Sequence, residues 1–316
     1  MIFEVHPLTK RINQIWRSTI AKEFPELDID NNNNYLSFKE FLTDTPQSFY
    51  TPSLTSKYYR FIENLFIEEP KIFKSIYSEN YPELNLAFKY LDQINSLNFH
   101  DNKLPSDTID LLRTVDLNYN FSYLKLQEGV FHKFVFPLAY FSRLKRDVST
   151  TGLKLFNCIE ELKNTPFGDL VYCYNNTIRN AIAHGGVSFT ERRIIYNDSK
   201  GIPISKDPLD VIRLFNQMVD NCNAMSLAWR KFLFNYRHKL ISFNLHPPAH
   251  LLYKEIKANS DSPSWEIQEI FEFENVKKKS QINIYVKHSL PKRELDFHLF
   301  RTGVLAESSI PGFDRY

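Results

Sequence analysis

Apolar residues that recur at every third or fourth position constrain the fold of this chain more than any other feature. The members of this repeat are Leu124, Phe131, Phe134, Val135 and Leu138, followed after Pro208 by Leu209, Ile212, Phe215, Met218 and Val219. Such spacing places one apolar face along an α-helix. It predicts a mainly helical fold with amphipathic helices over residues 121–146, 153–162 and 208–236.

Turn-rich and alternating stretches divide the chain into three predicted regions. Residues 1–115 carry the turn-rich segments IDNNNNYLS and TDTPQSFYTPS, which predict an irregular helical region. Residues 116–245 hold the strongest helical periodicity, interrupted after position 186 by a short alternating stretch typical of a small hairpin. Alternation in WEIQEIFEF, in QINIYVKHS and over 297–305 predicts strands, so residues 246–316 are expected to form a small mixed α+β or β domain.

Composition limits the partners and the location. The formal charge of +2 neither requires nor excludes a polyanion, because a basic site can lie on a balanced surface. Three cysteines without a CxxC pair, and a first stretch without a continuous apolar core, predict a cytoplasmic protein. The longest apolar run, FVFPLAYF, is far shorter than the roughly 20 residues that cross a bilayer, so no membrane segment is expected. No GxSxG, P-loop or GxGxxG motif is present, and no cofactor or metal is expected.

The segment TIRNAIAHGG, residues 177–186, carries the candidate chemistry. A helix over 167–184 would bury one apolar side and expose Arg179, Asn180 and His184 on the other. Gly185 and Gly186 predict the helix end, because glycine adopts the left-handed conformation there without steric cost. Asn180 and His184 are four residues apart and close enough to form a hydrogen bond that orients the imidazole.

These residue types suit metal-free cleavage of RNA. An imidazole that titrates near neutrality can take the proton from a ribose 2′-hydroxyl, and a second acid returns a proton to the leaving 5′-oxygen. A guanidinium stabilises the additional negative charge on the phosphorus. In this segment Arg179 and His184 are the residues that carry these two groups.

The motif Arg179-Asn180-x-x-x-His184 resembles the HEPN superfamily, whose signature is Arg, a polar residue and then His after a gap of four to six residues. The likeness covers residues 121–236. It implies that Arg179 and His184 are catalytic and that Asn180 positions them. It implies as well a helical bundle core, a homodimer with a composite active site and metal-independent cleavage of single-stranded or looped RNA, such as a tRNA anticodon arm. It also implies a toxin or phage-defence effector with an antitoxin or defence-system partner. Toxins of this superfamily that pair with a nucleotidyltransferase often carry a tyrosine two residues after the histidine, but here that residue is Gly186.

Basic clusters and exposed aromatic residues supply candidate RNA contacts. The candidates are Arg143, Lys145 and Arg146, then Arg192 and Arg193, the run Lys277–Lys279, and the rings of Tyr172 and Tyr196. Basic side chains contact phosphates, and aromatic rings stack on unpaired bases.

Two alternatives remain open. Arg179 could pair with an acid on a neighbouring helix while His184 only caps its own helix, which favours a non-catalytic scaffold that binds RNA or protein. His246 and His250 have a metal-like spacing and could serve a metal-dependent nuclease or phosphatase, although two prolines separate them. The Arg–His spacing alone is weak evidence for a nuclease motif. The segment RELDFH at 293–298 has the same spacing, although its pattern predicts a strand.

Overall fold

The structure is a computed structural model that describes residues 7–32, 34–43, 46–198, 201–260, 262, 264–274 and 280–309. It is mainly helical with small antiparallel sheets, which confirms the predicted class. The elements in chain order are α1 (Pro7–Glu23), α2 (Pro52–Glu68), α3 (Pro70–Asn95), α4 (Thr108–Thr114), α5 (Phe121–Leu126), α6 (His132–Leu144), α7 (Leu155–Leu162), α8 (Asn176–Ala183), β1 (Val187–Phe189), β2 (Ile194–Tyr196), β3 (Ile204–Lys206), α9 (Pro208–Ser242), α10 (Ala249–Ser260), β4 (Trp265–Glu274), β5 (Ser280–His288) and α11 (Lys292–Ser309).

The chain forms two compact units rather than the three consecutive regions 1–115, 116–245 and 246–316. The central unit comprises residues 44–232, and the terminal unit joins residues 1–43 to residues 233–316. Polar contacts explain why the two chain ends group together. Asn34 Nδ2 donates to Glu255 at 3.1 Å, and Lys254 forms an ion pair with Glu40.

The central unit is organised by a helical run over residues 108–144 that starts earlier than the predicted residue 121. The Asp107 carboxylate caps it by accepting from the backbone N–H groups of Ile109 and Asp110. Two π-helical segments, Val115–Asn120 and Gln127–Phe131, separate α4, α5 and α6 without ending the run. Each π segment adds backbone between turns and so shifts the side chains that follow it around the helix axis.

Aromatic side chains fill the core of the central unit. The Tyr58 ring packs edge-on against Phe167 and Trp229, and its hydroxyl donates to the Phe134 carbonyl at 2.6 Å. The Trp229 indole donates in turn to the Tyr58 hydroxyl at 3.2 Å, so two buried polar groups satisfy each other. Aromatic side chains therefore provide both the packing and the buried hydrogen bonds at this point of the core.

The predicted third helix is wrong in its extent. Residues 168–173 form a 3₁₀ helix, Gly168–Cys173, and the backbone then becomes extended at Tyr174, with φ −105° and ψ 131°. Tyr123, from α5, donates to the Cys173 carbonyl at 2.8 Å and holds this break in place. The helix that carries the motif, α8, is consequently short and starts at Asn176.

The hairpin and the long helix after the motif match the prediction. Strands β1, β2 and β3 form an antiparallel sheet in that order, with Ile194 and Tyr196 buried beneath it. Helix α9 begins at Pro208, whose fixed φ suits the first turn of a helix. Its residues from Leu233 onwards belong to the terminal unit.

The terminal unit confirms two predicted strands and overturns the third. Strands β4 and β5 pair antiparallel, from Trp265 opposite His288 to Glu274 opposite Ser280. Residues 297–305, predicted as a strand, lie in α11 instead. Thr302 and Ala306 are buried at i, i+4 spacing, and Ala306 packs with Ile256 and Ile267. Packing on this unit, rather than the local alternation, decides the helical conformation.

None of the described helices combines the length and the apolar composition needed to cross a lipid bilayer.

Candidate active site at the end of helix α8

Helix α8 is fixed at its start and along its inner side. The Asn175 side chain accepts from the Ile178 backbone N–H at 3.0 Å and caps the helix, a role for which asparagine is strongly preferred. Ile178 and Ala181 are fully buried, and α8 packs against α5 and β2. The motif side chains are thus carried by a helix whose position the core of the central unit determines.

The end of α8 confirms the predicted glycine terminus. Gly185 has a φ of +71°, and the Gly186 N–H donates to the Ala181 carbonyl at 2.7 Å, which is the long bond of a Schellman motif. Gly186 is also held against the strand end, because its carbonyl accepts from the Asn197 N–H at 2.8 Å. A Cβ atom at position 186 would lie 2.1 Å from the Asn197 carbonyl oxygen, so the backbone excludes any side chain there.

Arg179 is anchored at two points. Its Nε donates to the Glu128 carboxylate at 2.7 Å, and its Nη1 donates to the Asn180 side-chain oxygen at 2.8 Å. Glu128 lies in the second π-helical segment of the 108–144 run. A guanidinium has five N–H donors, and no described residue accepts from the other three. With 32% of its side chain exposed, Arg179 is positioned by the protein and still open to an anion.

The side chain of Asn180 corrects the predicted contact with His184. Its amide nitrogen donates to Asp198 at 2.8 Å, and its oxygen accepts from Arg179. The link between Asn180 and His184 is a backbone one, in which the His184 N–H donates to the Asn180 carbonyl at 3.0 Å. Asn180 therefore orients the arginine rather than the imidazole.

His184 is the residue at which α8 ends, with φ −115° and ψ 12°. Its side chain is exposed, and its ring makes no hydrogen bond or ion pair with any described residue. It follows Arg179 by five positions, which corresponds to about 7.5 Å along a helix axis. An exposed, unpartnered imidazole at a rigid helix end can accept a proton from a bound hydroxyl.

Tyr174 lies beside the Arg179–Glu128 pair. Burial raises the pKa of Tyr174 to about 12, with Arg179 acting in the opposite direction and Glu128 adding to the rise. Its hydroxyl donates to the Asn176 side-chain oxygen at 3.0 Å. This phenol therefore stays protonated across the physiological pH range and acts only through hydrogen bonds.

The predicted basic cluster on α6 is largely engaged within the protein. Arg143 donates to Glu161 at 3.1 Å and to the Ser149 carbonyl at 3.0 Å, and Arg146 also pairs with Glu161. The Lys145 ammonium lies 4.6 Å from the centroid of the Phe141 ring. No contact among the described residues joins this cluster to Arg179 or His184.

The remaining RNA-contact candidates differ in their exposure. Tyr172 is 76% exposed, and Arg192 is exposed in the turn between β1 and β2. Arg193 is exposed too, although its Nε donates to the Ser205 hydroxyl at 2.7 Å. The prediction for Tyr196 is wrong, because this ring is fully buried and its hydroxyl donates to Asn120 at 2.7 Å. The run Lys277–Lys279 lies outside the described residues.

The predicted site residues did not include Glu128, Asp198 or Tyr174. Glu128 is 51 residues from Arg179 and Asp198 is 18 residues from Asn180, so no local spacing connects them.

Within the described part of the chain, no group of three or more His, Cys, Asp or Glu side chains is arranged to hold a metal ion, and His246 is exposed in the loop after α9. Arg293 and His298, which have the same spacing as Arg179 and His184, lie on α11, and the Arg293 side chain is 85% exposed.

Comparison of the chain with models of protein families, with curated proteins and with solved structures gives no match in any of the three. The resemblance to the HEPN superfamily therefore stays a prediction from the motif Arg179-Asn180-x-x-x-His184.

Proposed function

We propose that this protein is a metal-independent endoribonuclease of the HEPN type, with Arg179 and His184 as its catalytic residues. Two side chains at the end of α8 carry the proposal. The His184 imidazole is exposed and has no partner among the described residues, and Glu128 and Asn180 hold the Arg179 guanidinium while no other described residue accepts from its remaining three N–H groups. Side chains that only maintain a fold satisfy their polar groups internally or spread them in solvent. Here Glu128 and Asn180 hold the charged guanidinium of Arg179 in place, while the imidazole of His184 is exposed and has no partner among the described residues.

In this mechanism His184 removes the proton from a ribose 2′-hydroxyl, and the resulting oxygen attacks the adjacent phosphorus. Arg179 stabilises the additional negative charge on the phosphoryl oxygens through its free N–H groups. The 5′-oxygen leaves with a proton from a second acid, and the products are a 2′,3′-cyclic phosphate and a 5′-hydroxyl end. In the proposed homodimer, the imidazole of the second copy supplies that proton.

Exposed apolar side chains on the run that carries Glu128 support the homodimer. Leu117 is 74% exposed, and Phe121, four residues later on the same run, is 67% exposed, so a second copy that covers both would remove apolar surface from water. We propose that this surface meets a second copy and brings two motifs into one cleft. The substrate class is single-stranded or looped RNA, such as a tRNA anticodon arm.

The proposed setting is the cytoplasm, where cleavage of cellular RNA arrests growth in the manner of a toxin or a phage-defence effector. Cys158, Cys173 and Cys222 are free and buried, as in proteins of reducing compartments. An antitoxin or another component of a defence system is the expected restraint on the activity.

One observation favours a second candidate, a non-catalytic scaffold that binds RNA or protein. The Glu128 carboxylate neutralises part of the charge of Arg179, which is the contact expected of a structural arginine. In that case Arg179 stabilises the central unit, and His184 serves a binding surface.

The deciding experiment compares cleavage of a structured RNA in EDTA by the wild-type chain, His184→Ala, Arg179→Ala and the control His246→Ala. The proposal requires cleavage by wild type and by the control, a loss of at least about 100-fold in the two motif variants, and 5′-hydroxyl ends on the products. Circular dichroism and light scattering establish that the variants remain folded and assembled. RNA binding without any cleavage by wild type would favour the scaffold, and activity that disappears in EDTA would favour a metal-dependent enzyme.

A further inference from the structure

We propose that Asp198 is a positioning residue that acts through Asn180 to set the orientation of the Arg179 guanidinium. The inference rests on the proposed function, since it concerns how the arginine is presented to the scissile phosphate. It rests on three side chains joined in series, with 2.8 Å between Asp198 and Asn180 and 2.8 Å between Asn180 and Arg179.

The direction of these two hydrogen bonds determines which way the Asn180 amide faces. An ionised carboxylate only accepts hydrogen bonds, so Asp198 requires the amide NH₂ on its own side. The amide oxygen then faces Arg179, where it accepts from Nη1. If the amide were turned over, its NH₂ would face the N–H groups of Arg179, and its oxygen would face the Asp198 carboxylate. Both contacts would be repulsive, so Asp198 selects the one amide orientation that can hold the arginine.

The arginine is thereby held on two sides. Glu128 accepts from Nε, while Asn180 accepts from Nη1. Two acceptors on different nitrogens prevent the planar group from turning about its long side-chain bonds. No residue that the structure describes accepts from the two N–H groups of Nη2 or from the second N–H of Nη1, and these donors have the fork geometry that suits phosphate oxygens. Loss of either anchor would leave the charge in place but allow the fork to turn.

Asp198 is itself placed by the strand before it. Tyr196 is buried with its hydroxyl on Asn120, and the Asn197 N–H donates to the Gly186 carbonyl. The chain is therefore fastened to the end of α8 by a backbone bond one residue before Asp198 reaches Asn180. The sheet that follows the motif thus has a role in the site, because it delivers a carboxylate to the helix.

The experiment exchanges the two polar partners. The variants are Asp198→Ala, Asn180→Asp, and the double variant Asn180→Asp with Asp198→Asn. In Asp198→Ala, the Asn180 amide loses the carboxylate that orients it. In the second, two carboxylates face each other. In the double variant the carboxylate at 180 accepts from both Arg179 and the new amide, which restores the series. Asp210→Ala is the control, because the Asp210 carboxylate forms a surface ion pair with Arg213 on α9, at 2.9 Å, and contacts none of the three residues of the series.

The expected result is a fall in kcat of about tenfold for Asp198→Ala with little change in KM, because an interaction made in the transition state is lost. A larger fall is expected for Asn180→Asp, recovery to within about threefold of wild type for the double variant, and no change for the control. A role limited to stability would lower the melting temperature without the kcat effect and without rescue by the exchange, and that result would overturn the proposal.

A second readout separates this inference from the proposed nuclease activity. The Nε–H resonance of Arg179 in ¹⁵N-labelled protein, assigned by its loss in Arg179→Lys, reports how firmly the guanidinium is held. Faster hydrogen exchange of this group in Asp198→Ala, restored in the double variant, supports the positioning role even if wild type cleaves no RNA. Unchanged exchange in Asp198→Ala overturns it, whether or not the protein is a nuclease.

Discussion

Arg179 and Glu128 form an ion pair, 2.7 Å between Nε and the carboxylate, across 51 residues of chain. The contact connects the π-helical segment Gln127–Phe131 to the short helix α8. π-Helical segments inside α-helices are often found at functional sites, because they turn selected side chains away from the regular pattern. In this protein the segment carries the carboxylate that anchors the candidate catalytic arginine.

Glu128 should support cleavage because its side chain accepts the hydrogen bond from Arg179 Nε, and not only because it carries a negative charge. Glu128→Ala removes the acceptor for Nε, and we expect kcat to fall by roughly tenfold or more, whereas Glu128→Gln keeps an acceptor and should retain most of the activity. Steady-state cleavage of a labelled RNA measures both. The control is Glu160→Ala, which removes an exposed pair with Lys163. Higher activity in Glu128→Ala would instead show that the acid masks the arginine.

Gly186 should not tolerate any side chain. A methyl group would meet the Asn197 carbonyl oxygen at 2.1 Å, so we expect Gly186→Ala to destabilise the protein by about 1–3 kcal/mol, as overpacking usually does. Urea denaturation followed by circular dichroism measures the change. Gly303→Ala is the matched control: apart from its chain neighbours and the backbone of its own helix, no described atom lies within 4 Å of the added methyl group, and alanine is favoured in helix α11. Equal stability of the two variants would contradict the close approach at Gly186.

The exposed apolar surface on the 108–144 run should mediate self-association. In the double variant Leu117→Glu with Phe121→Glu, like charges would face each other across the proposed interface, and we expect the dimer to dissociate at least about tenfold more readily. Light scattering coupled to gel filtration gives the mass. Ile202→Glu is the control, because Ile202 is 86% exposed in the central unit but lies outside this run. A wild-type chain that is monomeric at micromolar concentration would remove the basis of the composite site.

The three cysteines should be unreactive until the protein unfolds. Burial raises the pKa of Cys158 and the pKa of Cys173, each to about 12, and moves the pKa of Cys222 in the same direction. The folded state therefore keeps protons that the unfolded chain releases above about pH 9. This contribution to stability is complete below pH 9 and is lost between about pH 9 and 12.

Thiol labelling and denaturation together check this expectation. Modification by a disulfide reagent at pH 8 should be slow in the native protein and rapid in urea, and the free energy of unfolding should decline from pH 9 to pH 10.5. Rapid labelling of one cysteine under native conditions would contradict the burial of that side chain.

Local pattern accounts for the part of the fold that was predicted correctly. Apolar spacing of three and four residues determines where helices form, and the pair Gly185–Gly186 determines where α8 ends, because both depend on neighbours within a few residues. The same kind of pattern misled the prediction at 297–305, where alternation suggested a strand. Burial of Thr302 and Ala306 against the terminal unit overrode that local preference.

The sequence by itself determined the helical class and the glycine-closed end of the short helix that carries Arg179 and Asn180. Only the tertiary structure decided that Glu128 and Asp198 hold this arginine and its neighbour while His184 is left open. The physical reason is distance along the chain. Periodicity reports which side of a helix is buried, but the partner of an exposed polar group comes from another element, and only the packing of the core brings that element close.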